Sequence, residues 1–289
     1  MTGPGTPAGP AGGLNGGLSG GLSGGLSGRF EGALYAANTA HHRRHDDAVL
    51  AGVPLGPGAR VLDLGCGSGD LTATVADRCA PGGRVLGTDV SPSQVAHAAT
   101  RHARPGLSFV AAAAQDLGRL LAPASVDVVL SVAVLHWVPG ADQPQVLDGV
   151  RRVLRPGGVL RVDMGGQGQI ARAREVLAPV AVAHGGDPAL LPWFFPGPQE
   201  YRALLTAAGL QVQRAELVRQ RRPFPDAAAL EGWLRSQVLP AYAAAVPGDG
   251  ADRASFAAAA VAAGVDRLRR DDGSYDQDYV RLDVLAHRP

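Results

Sequence analysis

Val61-Leu62-Asp63-Leu64-Gly65-Cys66-Gly67-Ser68-Gly69-Asp70 reads as a short apolar strand that runs into a glycine loop and then a helix. Glycines at 65, 67 and 69 let backbone approach a ligand without Cβ obstruction, and the helix start beyond them offers free N–H groups. The glycine spacing alone is weak evidence, but two carboxylates strengthen it. Asp63 sits inside an otherwise apolar strand, where an unpaired charge would be expensive. Asp89 closes the next strand, 20 residues after Gly69, where an acidic side chain can accept hydrogen bonds from ribose hydroxyls.

Outward from this stretch, strands and helices alternate. Arg60–Leu64, Arg84–Asp89, Leu107–Ala112 and Val126–Ser131 read as strands, and Val159–Met164 as a fifth, introduced by a turn at Arg155–Gly158. Asp70–Cys79, Ser91–His102 and Gln145–Leu154 read as the helices between them, with Ser91 as N-cap and Pro92 at a first helical position. Such alternation implies an α/β fold with a parallel, doubly wound, Rossmann-like sheet. Farther on, Gly168–Ala183 and Pro198–Ala208 read as helices, and Gln211–Val218 and Tyr279–Ala286 as the last two of seven strands. The stretch Ala227–Arg270 between those strands is helix-rich and interrupted at Pro240 and Pro247-Gly248.

Residues 1–28 hold GGLN at Gly12–Asn15 and then GGLS three times to Ser27, a composition that makes ordering costly and predicts a disordered tail. The expected organisation is this tail, a helical N-terminal cap over 29–58, and a core over 59–289 with a helical lid insertion at about 226–272.

The 289 residues, with 46% hydrophobic residues, supply a sizeable core. The net charge of +1 gives no electrostatic case for nucleic acid or membrane as a partner. All 27 residues of the Lys-plus-Arg count are Arg, which excludes a Schiff-base or P-loop lysine and points to a GC-rich, actinobacterial type of coding genome. Two cysteines, Cys66 and Cys79, are too few for a disulfide framework or a cysteine zinc site. Together with the lack of a signal sequence they suit a cytoplasmic protein. His41 and His45 lie four apart, but two ligands make no metal site without a third, so no metal is expected.

The run VLDLGCGSGDLT from Val61 to Thr72, with GTDVS from Gly87 to Ser91, resembles the class I S-adenosylmethionine-dependent methyltransferase family. Leu154-Arg155-Pro156-Gly157-Gly158 before the fifth strand matches the family too, and the matches span about Arg60 to Met164. The resemblance implies S-adenosylmethionine as cofactor and S-adenosylhomocysteine as product. It implies that Gly65, Cys66 and Gly67 line the methionine part, that Asp89 holds the ribose, and that Val90 packs near adenine. Asp63 is expected to orient the glycine loop. Gln115, Asp116 and Leu117 fall where family members contact adenine, although the acidic residue common two positions before the Gln is Ala113 here. Ser131 opens the segment Ser131–Trp137, which resembles the family's motif at the methyl-transfer site.

Within the family, Leu135-His136-Trp137, Met164–Gly168 and Trp193-Phe194-Phe195-Pro196 resemble a trans-aconitate-methyltransferase-like branch that contains many natural-product enzymes. Tyr35–Arg43 is similar to members that C-methylate the indole of tryptophan-containing cyclic dipeptides. Methyl transfer is an in-line displacement governed by positioning and desolvation. A carboxylate acceptor needs an Arg clamp, whereas a phenol or indole needs a base. Tyr35, His42 and His136 are the candidate catalytic groups, and His41, Trp137, Trp193, Phe194 and Phe195 the candidate acceptor-binding ones. His45, Asp46 and His184 are further polar residues expected near the mouth. The expected reaction is methylation of a small natural-product-like molecule, first an indole carbon. The alternatives are O-methylation of a small carboxylic acid, or a cofactor-binding relative with some other activity.

Overall fold

Val61, Leu62 and Leu64 of β1 (Arg60–Leu64) and Val128, Val129 and Leu130 of β4 (Val126–Val132) are all at most 2% exposed. Apolar runs of this kind fit only where helices cover both faces of a parallel sheet. The computed structural model describes residues 46–242 and 245–289. The whole 1–28 segment and most of the 29–58 cap lie outside those residues.

Between β1 and β4 in the chain come β2 (Arg84–Asp89) and β3 (Leu107–Ala111), and after them β5 (Leu154–Gly165), β6 (Gln211–Phe224) and β7 (Tyr275–His287). They form one seven-stranded sheet in the order β3-β2-β1-β4-β5-β7-β6. Only β7 is reversed, antiparallel to both β5 and β6. The order therefore turns back between β1 and β4. In open α/β sheets ligands bind in the crevice at the carboxyl ends of the two strands that flank such a switch.

The helices are α1 (Asp46–Leu50), α2 (Asp70–Cys79), α3 (Pro92–His102), α4 (Leu117–Leu120), α5 (Gln143–Val153), α6 (Ala171–Ala183), α7 (Pro198–Ala207), α8 (Ala227–Trp233), α9 (Leu239–Tyr242) and α10 (Gly250–Arg267). Ser91 caps α3 as expected, its hydroxyl accepting from Gln94 N–H. One apolar cluster, from Leu62 through Leu147 to Leu205, lies under α5 and α7, and another, with Val49, Val75 and Val128, lies on the opposite face. A third cluster belongs to α6 and α8 to α10 themselves, built from Leu177, Leu230, Trp233, Leu234, Tyr242 and Phe256.

Three expectations are corrected. The turn Arg155–Gly158 is not a separate approach to β5 but lies inside it: Val126 pairs with Leu154 and Val128 with Val159, so the extra residues form an irregularity with Gly157 at φ +73°. β6 runs on from Val218 to Phe224, a charged edge strand whose Arg219–Arg222 run hid its period. Pro240 does not break the helix, because the preceding turn, Leu234–Val238, widens into π geometry, with Leu239 N–H bonded to Leu234 O. The real interruption lies at 245–249, where the chain turns before α10.

Candidate active site

The glycine loop ends β1 beside the switch point. Gly65 has φ +82°, and a Cβ there would overlap the Val134 side chain, so the loop can pack on the segment after β4 only as glycine. Gly67, at φ +52°, has nothing within 4 Å of where a Cβ would stand. That open space, at the carboxyl end of the sheet, is the cradle a nucleoside ligand would need. Asp89 holds the loop: its carboxylate accepts from Gly67 N–H at 3.1 Å and from Ser91 N–H at 2.8 Å. Both oxygens keep a lone pair for hydroxyl donors. Burial raises the Asp89 pKa, and the two backbone N–H groups oppose that rise.

Asp63 is 2% exposed, and its carboxylate accepts from the Thr72 hydroxyl at 2.7 Å, tying β1 to the first turn of α2. Cys66 is buried, and desolvation, reinforced by Asp63 and Asp89, drives its thiol pKa far up, so it is no thiolate. Val90 is half-buried beside Asp89.

After β4 the chain turns through Ala133, at φ +61°, into a short 3₁₀ turn, Leu135–Trp137. Gln143, fully buried, holds this turn by donating from Nε2 to Leu135 O at 2.8 Å and Val138 O at 3.0 Å. Ala133, His136, Trp137, Trp193, Phe195, Arg222, Tyr279 and Arg281 line one cavity, with Gln169, Ile170, Trp233, Gln237 and Val238 completing its wall. Ala133 is the chain neighbour of Val134, which packs on Gly65, so the cavity adjoins the glycine loop.

His136 Nδ1 accepts a hydrogen bond from Gly165 N–H at 3.2 Å. The neutral ring therefore carries its proton on Nε2. Burial first, and Arg281 second, lower its pKa to about 3. The expected base is thus a neutral donor. Arg281 is fixed by Asp163, with Nε on Oδ1 at 2.6 Å, and reaches the Tyr279 hydroxyl at 3.3 Å. Arg222 stacks 5.2 Å over the Phe224 ring, and burial lowers its pKa, so its charge is held at a desolvation cost.

Ser131, Gln115, Asp116, Leu117, Phe194 and His184 do not line this cavity. Ser131 is fully buried and donates to Leu64 O at 3.0 Å, stitching β4 to β1 rather than facing a ligand. Leu117 is 1% exposed in the sheet core, because its helix turns that side chain inward. Asp116 is exposed, and Gln115 donates to Asp142 at 3.0 Å. In the extended Trp193–Phe195 segment the side chains alternate: Trp193 and Phe195 line the cavity, while Phe194 packs on Gly140 and Tyr201. His184 bonds Val180 O and packs edge-on to Phe256, apart from the cavity wall. Tyr35, His41, His42 and His45 lie outside the described residues.

Sequence reasoning missed Arg222, Tyr279 and Arg281. The one signal available was the period-2 placement of Tyr279, Arg281 and Asp283 between Val280, Leu282 and Val284. Among the described residues no group of three His, Cys, Asp or Glu side chains could hold a metal, and no helix is long and apolar enough to cross a membrane.

A family model described as a methyltransferase domain matches residues 61–158. The trans-aconitate 2-methyltransferase of Variovorax paradoxus is 35% identical over 227 residues, covering 73% of this chain and 83% of its own. That of Azoarcus sp. is 33% identical over 245 residues, covering 83% and 91%. Among solved structures, the YcgJ protein of Bacillus subtilis superposes with a TM-score of 0.59 at 15% identity, covering 86% of this chain and 99% of that one.

Proposed function

The chain belongs to the class I S-adenosylmethionine-dependent methyltransferases and is related to the trans-aconitate methyltransferases, and from that premise we propose that it O-methylates a small carboxylic acid. The observation that carries this reading is the make-up of the cavity wall: two guanidinium groups, Arg222 and Arg281, no carboxylate, and a histidine that cannot serve as a base. A carboxylate is already nucleophilic and needs orientation rather than deprotonation.

S-adenosylmethionine supplies a sulfonium methyl; the acceptor oxygen takes it as the C–S bond breaks, leaving an ester and the neutral thioether of S-adenosylhomocysteine. The chain's own residues position and desolvate. Gly67 would give the cofactor room, Gly65 lets the loop pack on Val134, and Asp89 would take the ribose hydroxyls while holding the loop. Arg222 and Arg281 would grip the acceptor carboxylate, and His136 Nε2–H would donate to the same anion. Trp137, Trp193 and Phe195 exclude water from the reacting atoms. The helical layer of α8 to α10, in the 226–272 insertion, serves as the lid through Trp233, Gln237 and Val238.

Indole C-methylation is the second reading, and the aromatic rings of the wall, Trp137, Trp193, Phe195, Trp233 and Tyr279, favour it. It needs a base, and Tyr35 and His42 are the candidates for that part. The relatives and the arginines support the carboxylic acid instead.

The test is incubation of the full chain with methyl-labelled S-adenosylmethionine, trans-aconitate and other carboxylic acids, and indole cyclic dipeptides. Label in a base-labile ester is expected, with kcat flat between pH 6 and 8 because His136 stays neutral across that range. Label in a base-stable carbon position would overturn the proposal in favour of the indole.

A further inference from the structure

One donor in the cavity wall has no partner. Gln237 Nε2 is buried and makes no hydrogen bond among the described residues, and Gln237 lines the same cavity as Arg222, Arg281 and His136. Gln169 lines it too, but its Oε1 already accepts Val280 N–H at 2.6 Å. A buried amide that gave up water for nothing is costly, and native proteins keep few of them. Gln237 also sits inside the π turn Leu234–Val238, and π turns concentrate at ligand sites. Pro240 gives that turn a local cause, because it lacks an N–H for the helix ladder. Pro240 does not explain why Nε2 of Gln237 is buried and unanswered.

We infer that Gln237 is a specificity residue that donates its amide N–H to a second carboxylate of the acceptor, so that the site takes acids with two or more carboxyl groups over matched monocarboxylates. The inference rests on the carboxylate-acceptor reading. One carboxylate lies between Arg222 and Arg281, and the other meets Gln237 from the lid side of the cavity. The wall as a whole is rich in donors and holds no anionic side chain, which suits a polyanion. An amide donor adds no charge, so it selects for an oxygen at that place without binding every anion equally tightly.

The experiment is calorimetry on the full chain loaded with S-adenosylhomocysteine, using trans-aconitate and the monocarboxylate crotonate, for the wild type, Gln237→Leu and Gln237→Glu. Removing a hydrogen bond to a charged group is expected to weaken trans-aconitate by about tenfold to a hundredfold in Gln237→Leu. Gln237→Glu weakens it further by repulsion. Crotonate affinity stays within about twofold in Gln237→Leu, and so does that of S-adenosylhomocysteine, which shows that the variant folds. Equal affinity of wild type and Gln237→Leu for trans-aconitate overturns the inference, and so does absence of trans-aconitate binding to the wild type. Labelled transfer, run on the same proteins, separates the two readings. Ester formation that is indifferent to Gln237 removes the inference and leaves O-methylation standing. Gln237-dependent binding without ester removes O-methylation and leaves Gln237 as a recognition residue.

Discussion

His136 is buried against Trp137 and Phe195, and its Nδ1 is taken by Gly165 N–H, so the folded protein holds the ring neutral with a pKa of about 3. In the unfolded chain the same group titrates near 6.5. Between those values the unfolded state binds a proton that the native state refuses, so stability falls as pH drops through the window. The loss reaches about 2 kcal/mol at pH 5. His136→Asn, whose Oδ1 stands where Nδ1 does, keeps an acceptor for Gly165 and should flatten that part of the curve of unfolding free energy against pH, measured by urea titration. An unchanged slope would assign it to another group. Asp89 works by a different rule, since each of its oxygens already holds a backbone N–H. In Asp89→Asn an amide N–H₂ must face either Gly67 or Ser91, which lets the loop go. Affinity for S-adenosylmethionine should fall at least tenfold by calorimetry, and the melting temperature of the unliganded protein should fall as well, because one backbone N–H loses its acceptor. Asp89, Asp63 and the three glycines were legible in the sequence because they act within about thirty residues of one another.

The 3₁₀ turn Leu135–Trp137 shows how an element is held from outside itself. Its carbonyl at Leu135, which also accepts Val138 N–H, and the carbonyl just beyond it at Val138 both accept from the single side-chain amide of Gln143 at the first position of α5. The Tyr201 hydroxyl contacts the other end of that amide at 3.5 Å. Gln143→Leu leaves Val138 O without that donor and Leu135 O with the Val138 N–H alone, at about 2 kcal/mol. The thermal midpoint should drop by roughly 4–8 °C on scanning calorimetry. kcat should fall as well, because His136 and Trp137 ride on this turn. A variant with wild-type melting would mean that water already serves those carbonyls. Sequence pattern placed the short parallel strands and the helices around them almost to the residue, because each carries its own apolar period and its own stop signal. It shortened β6 and β7, whose ribbon of paired residues from Gln211 and His287 to Phe224 and Tyr275 is stabilised by cross-strand partners rather than by apolar alternation.

Across the whole molecule, a buried ionic network joins elements far apart in the chain. Arg161, 1% exposed on β5, donates to Val49 O of α1, to Val284 O of β7 and to the Asp283 carboxylate, which also accepts from Arg214 on β6. Removing Asp283 leaves a desolvated guanidinium without its counter-charge, which typically costs 3–5 kcal/mol. Asp283→Ala should therefore lower the urea midpoint far more than Arg214→Ala, whose partner Asp283 keeps Arg161. Equal midpoints would show that the carbonyls alone satisfy Arg161. The neighbouring pair of Arg281 with Asp163 follows the same plan and sets the wall of the cavity. The amino-acid sequence by itself determined the strand–loop–helix cradle and the α/β class, because those depend on backbone freedom and on periodicity along the chain, and its family resemblance implied the cofactor. Only the tertiary structure decided what lines the cavity beside that loop. Arg222, Gln237 and Arg281 come from three separate elements and meet His136 only when the antiparallel β6–β7 pair and the helical layer close over the end of β4, and burial at that meeting point is what turns His136 from a base into a donor.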